Sequence, residues 1–92
     1  MVKKSSISGE ESQIIALKAL GFLLSDPDRI KRFMSITGLT PETIRVSASQ
    51  PGFLAGVLEH LCGDQPLLLG FAESEGLDPE TIAAAGRHLA NP

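Results

Sequence analysis

The chain has few of the residues that cross-link small domains or build metal centres. Cys62 is its one cysteine, tryptophan and tyrosine are absent, and its four aromatic residues are all phenylalanine. One cysteine excludes an intrachain disulfide and cannot form a cysteine-based zinc site by itself, which fits a reducing compartment. We therefore expect a cytoplasmic protein.

Long apolar runs and an excess of basic charge are missing as well. The most apolar stretch runs from Ile14 to Leu24, which is about half the length of a bilayer span, and Lys18 interrupts it. No small-residue cleavage site suggests a signal peptide. Eight basic residues stand against eleven acidic ones, for a formal net charge of −3. Because binding to nucleic acid or to an anionic membrane needs a basic surface, we expect neither as a partner.

Aliphatic side chains are abundant: 42% of the residues are hydrophobic, with many Leu, Ile and Ala, a composition that favours helices. Asp-Pro or Thr-Pro pairs are typical helix starts, and Gly38 and Gly76 are typical helix ends. We predict a flexible tail over residues 1–9 and a single helical domain over 10–92. Its six helices are expected at about 10–24, 27–37, 41–48, 51–62, 66–75 and 79–90.

One segment occurs twice. Residues 38–44 read Gly-Leu-Thr-Pro-Glu-Thr-Ile, and residues 76–82, at an offset of 38, read Gly-Leu-Asp-Pro-Glu-Thr-Ile. The same offset pairs Leu20 with Leu58 and Phe33 with Phe71, so candidate core positions recur together with the caps. Each residue of the segment can be explained by ending one helix and starting the next. We therefore predict an all-α, six-helix bundle built from two pseudo-symmetric three-helix units, about 10–49 and 50–90.

No group of residues points to catalysis. The sequence has no glycine-rich phosphate loop and no nucleophile in a recognisable elbow, and its acidic residues cluster at helix starts. His60, Cys62, Asp64 and His88 are conceivable metal ligands, but residues two apart on a helix point in different directions. We expect no catalytic residue, no metal and no cofactor. Cys62 is expected in the core and His60 on the exposed surface.

The glycine turn at Gly38 offers an alternative function. Two helices joined by such a turn resemble a helix-turn-helix. The helix after the turn offers only one side chain suited to bases or phosphates. A helix-turn-helix DNA-binding protein therefore remains the alternative, with candidate contacts Arg29, Lys31, Arg32 and Arg45.

An excess of apolar surface carries the leading prediction. The first helix has apolar residues nearly all round its circumference, and the fifth begins with three consecutive leucines. Either the first helix is central in the bundle, or part of this surface binds another chain. We predict a non-enzymatic protein-interaction module or small adaptor that binds an unidentified protein or a second copy of itself. The candidate contact residues are Ile14, Leu17, Phe22, Phe53 and Leu67.

Several short segments give the chain a family resemblance. Taken in order over residues 11–89, the chain resembles a domain-of-unknown-function family of small helical proteins from alphaproteobacteria. This resemblance implies a compact helical cytoplasmic protein, and it brings no catalytic or binding residue with it. The segments that carry it are residues 16–23, 26–27, 32–33, 37–39, 51–58, 67–71 and 76–80.

Overall fold

The computed structural model describes residues 8–91, which form six α-helices and no β-strand. The all-α class and the number of helices are confirmed, and every helix boundary lies within one residue of its predicted position. Within these residues, no helix has both the length and the apolar character needed to cross a bilayer. The helices are α1 Gly9–Leu24, α2 Pro27–Thr37, α3 Pro41–Ser47, α4 Pro51–Cys62, α5 Gln65–Glu75 and α6 Pro79–Ala90.

The start of α1 extends into the predicted tail. The N–H of Glu11 donates a hydrogen bond to Ser8 Oγ at 3.0 Å, and the N–H of Ser8 donates to Glu11 Oε1 at 3.3 Å. This reciprocal pair is a capping box, which satisfies two amides that the helix itself leaves free. Ser8 and Gly9 therefore belong to the beginning of α1, and the remainder of the predicted tail, residues 1–7, lies outside the described residues.

The other boundaries follow from similar local chemistry. Gly38 and Gly76 end α2 and α5 with φ values of 76° and 67°, a left-handed conformation that glycine adopts without a β-carbon clash. Proline occupies the first or second position of every helix from α2 to α6, where its missing N–H costs nothing. First-turn amides donate to the cap side chains of Asp26, Thr40, Asp64 and Asp78.

The centre of the molecule is a layer of three helices. α1, α4 and α6 pack against one another, α2 lies against α1, and α5 lies against α4 and α6. All six helices contribute to one cluster of buried apolar side chains, in which Phe33 and Phe71 are the largest fully buried residues. α1 buries one face in this cluster and exposes the other, so it is neither wholly central nor wholly peripheral.

The two halves of the chain differ in how their third helix packs. α6 packs closely along α4, whereas α3 has no comparably close packing against α1. α3 has 7 residues and α6 has 12, because Pro51 starts a new helix soon after Ser47 while α6 continues through Leu89. The pseudo-symmetric arrangement of two three-helix units therefore stays a prediction.

Candidate functional site

Two of the five predicted contact residues share an exposed face of α1. Ile14 and Leu17 are 47% and 45% exposed, and Leu24 further along the helix is 53% exposed. Together with Gly21 they recur at intervals of three and four residues, so they line one side of the helix. A β-carbon at Gly21 would meet nothing within 4 Å. We call Ile14, Leu17, Gly21 and Leu24 the α1 stripe; its spacing is that of a helix-pairing seam.

Phe22 is held on both sides by its own chain. Its ring centroid lies 5.4 Å from that of Phe71, and the guanidinium carbon of Arg29 lies 4.0 Å from the Phe22 ring centroid. Arg29 Nη1 also donates a hydrogen bond to the Phe22 carbonyl oxygen at 3.3 Å. These contacts join α1 to α2 and α5, which accounts for Phe22 without a partner chain.

Phe53 and Leu67 lie apart from the α1 stripe. The Phe53 ring contacts Phe33 edge-on, with centroids 6.3 Å apart, and Phe53 packs against the core while remaining partly exposed. Leu67 is half-buried and lies with Phe22 in a cleft between α2, α4 and α5. The structure thus brings Ile14 and Leu17 together, and Phe22 and Leu67 together, but it does not bring all five residues onto one surface.

A second apolar feature, the groove, opens between α1, α2 and α3. Its volume is about 410 Å³, and Leu20 and Ile44 form its buried floor. Leu24 stands at its edge and also ends the α1 stripe, so the two features are continuous. The groove is completed by Pro41 and Arg45 of α3 and by the half-buried side chains of Ile30, Met34 and Ala48.

The groove corresponds to a closed contact in the other half of the chain. Leu20 and Ala48 both line the groove, and the offset of 38 residues pairs them with Leu58 and Gly86. A β-carbon at Gly86 would lie 3.4 Å from Leu58 Cβ, so α6 lies directly against α4 at this position. The first half leaves the equivalent space open because α3 ends before it can fill it.

Arg45 supplies the charged side chain of the groove. It is exposed at the lining, and within the part of the chain that the structure describes no ion pair links it to a carboxylate. Its counterpart at the same offset is Ala83. The groove therefore combines an apolar interior with one exposed cation.

The cleft that contains Phe22 and Leu67 has a volume of about 370 Å³ and a mixed lining. Arg29 Nε lies 3.9 Å from an Asp26 oxygen, and Arg32 Nη2 lies 4.0 Å from an Asp64 oxygen. Because both arginines lie beside carboxylates, the cleft has little net charge with which to attract an anion. Its lining includes no hydroxyl or thiol that could act as a nucleophile.

His60 is the titratable imidazole of the cleft, and its position differs from the expected exposed one. Its ring contacts Phe33 edge-on at a centroid distance of 5.0 Å, and Nε2 is buried without a hydrogen-bond partner. Burial lowers the pKa of His60; nearby Asp64 acts to raise it and Arg32 to lower it. Because Nε2 faces the protein, it is poorly placed to exchange a proton with a substrate in the cleft.

The expectation that Cys62 lies in the core is wrong. Cys62 is exposed, because it sits on the last turn of α4 beside the fully buried Leu61 and faces away from the cluster. Within residues 8–91 no group of three or more His, Cys, Asp or Glu side chains could hold a metal ion.

The groove residues Leu24, Ile30, Met34 and Ala48 were not predicted as contacts. A signal for them was present in the repeat: Pro51 stands where the offset of 38 residues places Leu89 in the second half. A proline at that position ends α3 early, so the core positions facing it lose the helix that covers their counterparts. Reading the two halves for differences in helix length would have located the groove.

Comparisons with known proteins add one match. No curated protein and no solved structure matches the chain. Residues 9–92 match the model of a family described as "Protein of unknown function (DUF3572)".

Proposed function

The chain belongs to the DUF3572 family, which is a family of unknown function, and from its surface we propose that it is a non-enzymatic protein-interaction module. It binds a protein partner through the groove and the adjoining α1 stripe. The observation that carries this proposal is the open apolar groove, continuous through Leu24 with exposed apolar residues of α1. Contiguous apolar surface of this kind is typical of sites that bind other proteins.

The make-up of the groove supports a binding role. Its floor is buried and aliphatic, and its wall includes Met34, an unbranched side chain that adapts to different partners. Burial of apolar area contributes about 25 cal/mol per Å², so covering Leu24 and Met34 would favour association. Ile14 and Leu17 extend the same surface along α1.

The predicted duplication belongs to this proposal. Units of about residues 10–49 and 50–90 arise from one three-helix pattern, and the first unit keeps open for a partner the contact that the second unit closes with α6. The early end of α3 supports this relationship. We further propose that the protein acts in the cytoplasm, as its single cysteine suggests, and that the family is alphaproteobacterial.

A non-enzymatic role is supported by the chemistry of the cleft. A catalytic cleft needs groups that reach the substrate in the correct protonation state. His60 turns its buried Nε2 towards Phe33, and both arginines lie beside carboxylates. The groove offers no titratable group apart from Arg45.

The test compares three tagged forms of the protein in affinity purification from the source cells, followed by mass spectrometry. The forms are wild type, Leu24→Asp at the edge of the groove, and Val46→Asp as the matched control. Val46 is 73% exposed on α3 and does not line the groove, so both variants place a charge on an exposed apolar position. Circular dichroism checks that each variant is folded.

A protein enriched by wild type and by Val46→Asp, but lost with Leu24→Asp, supports the proposal. If all three forms enrich the same proteins, and light scattering finds a monomer, the proposal is wrong. A salt-sensitive shift of duplex DNA that is lost with Arg45→Ala would instead favour the helix-turn-helix alternative.

A further inference from the structure

The second half of the chain indicates what kind of group completes the groove. There, α6 closes the contact on α4, with Gly86 at van der Waals distance from Leu58, and Ile82 and Ala85 are fully buried along the same helix. The groove-side counterparts of these contacts begin with Ile44 but have no helix beyond Ser47 to continue them. A helix with small and aliphatic side chains on one face therefore has the shape that the open space lacks.

Resting on the proposed function, we infer that the occupant is one amphipathic helix of another protein, with an acidic side chain placed opposite Arg45. Its apolar face covers the α1 stripe and inserts side chains between Leu20 and Ala48. The acidic group pairs with the guanidinium at the groove.

The dimensions fit a single short helix. Ile14 and Leu24 are ten residues apart on α1, which corresponds to roughly 15 Å at 1.5 Å per residue. About three turns of a partner helix span that distance, and anchors at i, i+3, i+4 and i+7 present one apolar face. Exposed Gly21, in the middle of the stripe, leaves room for the partner backbone to approach.

Charge complementarity selects the acidic partner. Arg45 is the charged residue that lines the groove, and within residues 8–91 it forms no ion pair. The chain as a whole carries a net charge of −3, so long-range attraction does not favour an acidic helix. The preference is therefore local and modest, and depends on a carboxylate reaching the guanidinium directly.

The probe is a displayed library of helical peptides of about 15 residues, roughly four turns. Apolar residues occupy i, i+3, i+4 and i+7, and the other positions vary among Glu, Lys, Gln and Ala. Selection uses the whole chain, and recovered peptides are then synthesised and titrated by fluorescence polarisation. The baits are wild type, Leu24→Asp, Arg45→Glu and the control Val46→Asp.

Recovered peptides are expected to carry Glu at one register relative to their apolar face. Replacing that Glu by Lys should weaken binding to wild type roughly two- to fivefold, as expected for an exposed ion pair, and should strengthen binding to Arg45→Glu. Leu24→Asp should weaken binding by about tenfold or more, because the apolar anchor is lost, while Val46→Asp binds like wild type.

Three results would overturn the inference. Peptides that need Leu24 but show no register for Glu, and no response to Arg45→Glu, would leave the groove as an interaction site and remove the acidic partner. If no peptide depends on Leu24, the groove takes no helix, and the affinity purification judges the proposed function separately. A wild-type dimer that Leu24→Asp dissociates would make the occupant a second copy of this chain.

Discussion

A β-carbon at Gly86 would lie 3.4 Å from Leu58 Cβ, whereas the equivalent pair, Ala48 and Leu20, faces an open groove. One pair of positions in the repeat therefore has two environments. In the second half the helices touch, and a larger side chain has to displace them. In the first half the same positions border solvent, and a larger side chain has room.

Gly86→Val should destabilise the protein by about 1–3 kcal/mol, because the added methyl groups overpack the contact between α4 and α6. Ala48→Val is the matched control at the equivalent position, and its free energy of unfolding should stay within about 0.5 kcal/mol of wild type. Urea denaturation followed by circular dichroism measures both. Equal losses at the two positions would contradict the difference in packing.

Gly38→Ala and Gly76→Ala should each lower the free energy of unfolding by about 1 kcal/mol, because alanine is strained at positive φ. The space around both glycines is open, so the cost comes from the backbone and not from a clash. Gly56→Ala serves as the control: this glycine lies within α4 with nothing near its β-carbon position. Alanine there should stabilise the helix by about 0.5–1 kcal/mol; a loss at Gly56 as large as those at the caps would contradict this account.

Phe22 and Leu17, both predicted as partner contacts, should respond differently to substitution. Phe22→Ala removes the packing against Phe71 and Arg29 and should cost about 2 kcal/mol of folding free energy, somewhat less than a fully buried phenylalanine. Leu17→Ala should change stability by less than about 0.5 kcal/mol, because Leu17 is half exposed. Thermal unfolding of both variants is the measurement. A stable Phe22→Ala protein would return Phe22 to the list of residues free to bind a partner.

The stability of the protein should fall as the pH is lowered through about 6.5, the ordinary pKa of histidine. Burial lowers the pKa of His60 in the folded state, so between the two pKa values the unfolded chain binds more protons than the folded one. The contribution is fully present above the unfolded pKa and is lost as the pH falls towards the folded pKa. His60→Leu should flatten this part of the profile, measured by urea denaturation between about pH 5 and 7.5. Parallel profiles for wild type and His60→Leu would show that His60 is not responsible.

Local patterns predicted the helices well. Cap residues such as Asp26 and Asp78, the prolines that follow them, and the helix-ending Gly38 act within one turn of the chain. The α1 residues Ile14 and Leu17 were correctly identified as surplus to the core, since the apolar pattern of α1 extends further round the helix than one buried face requires.

Contacts between distant parts of the chain were less accessible. Phe22 and Phe53 have the same apolar character as Leu17, and only the arrival of Phe71 and Phe33 from other helices decides that they pack against the protein itself. The exchanged positions of His60 and Cys62, one partly buried and one exposed, have the same origin. They depend on the rotation of α4 against its neighbours, to which a sequence with apolar residues on several sides of that helix gives few clues.

The sequence by itself determined the all-helical class, the six helices and their boundaries, because capping and helix propensity act between residues a few positions apart. It also held the repeat and the early proline at Pro51. Only the tertiary structure decided which copy of the repeated contact closes and which opens into a groove. That outcome depends on how closely α6 and α3 approach α4 and α1, and side-chain packing between helices, rather than local backbone chemistry, sets those distances.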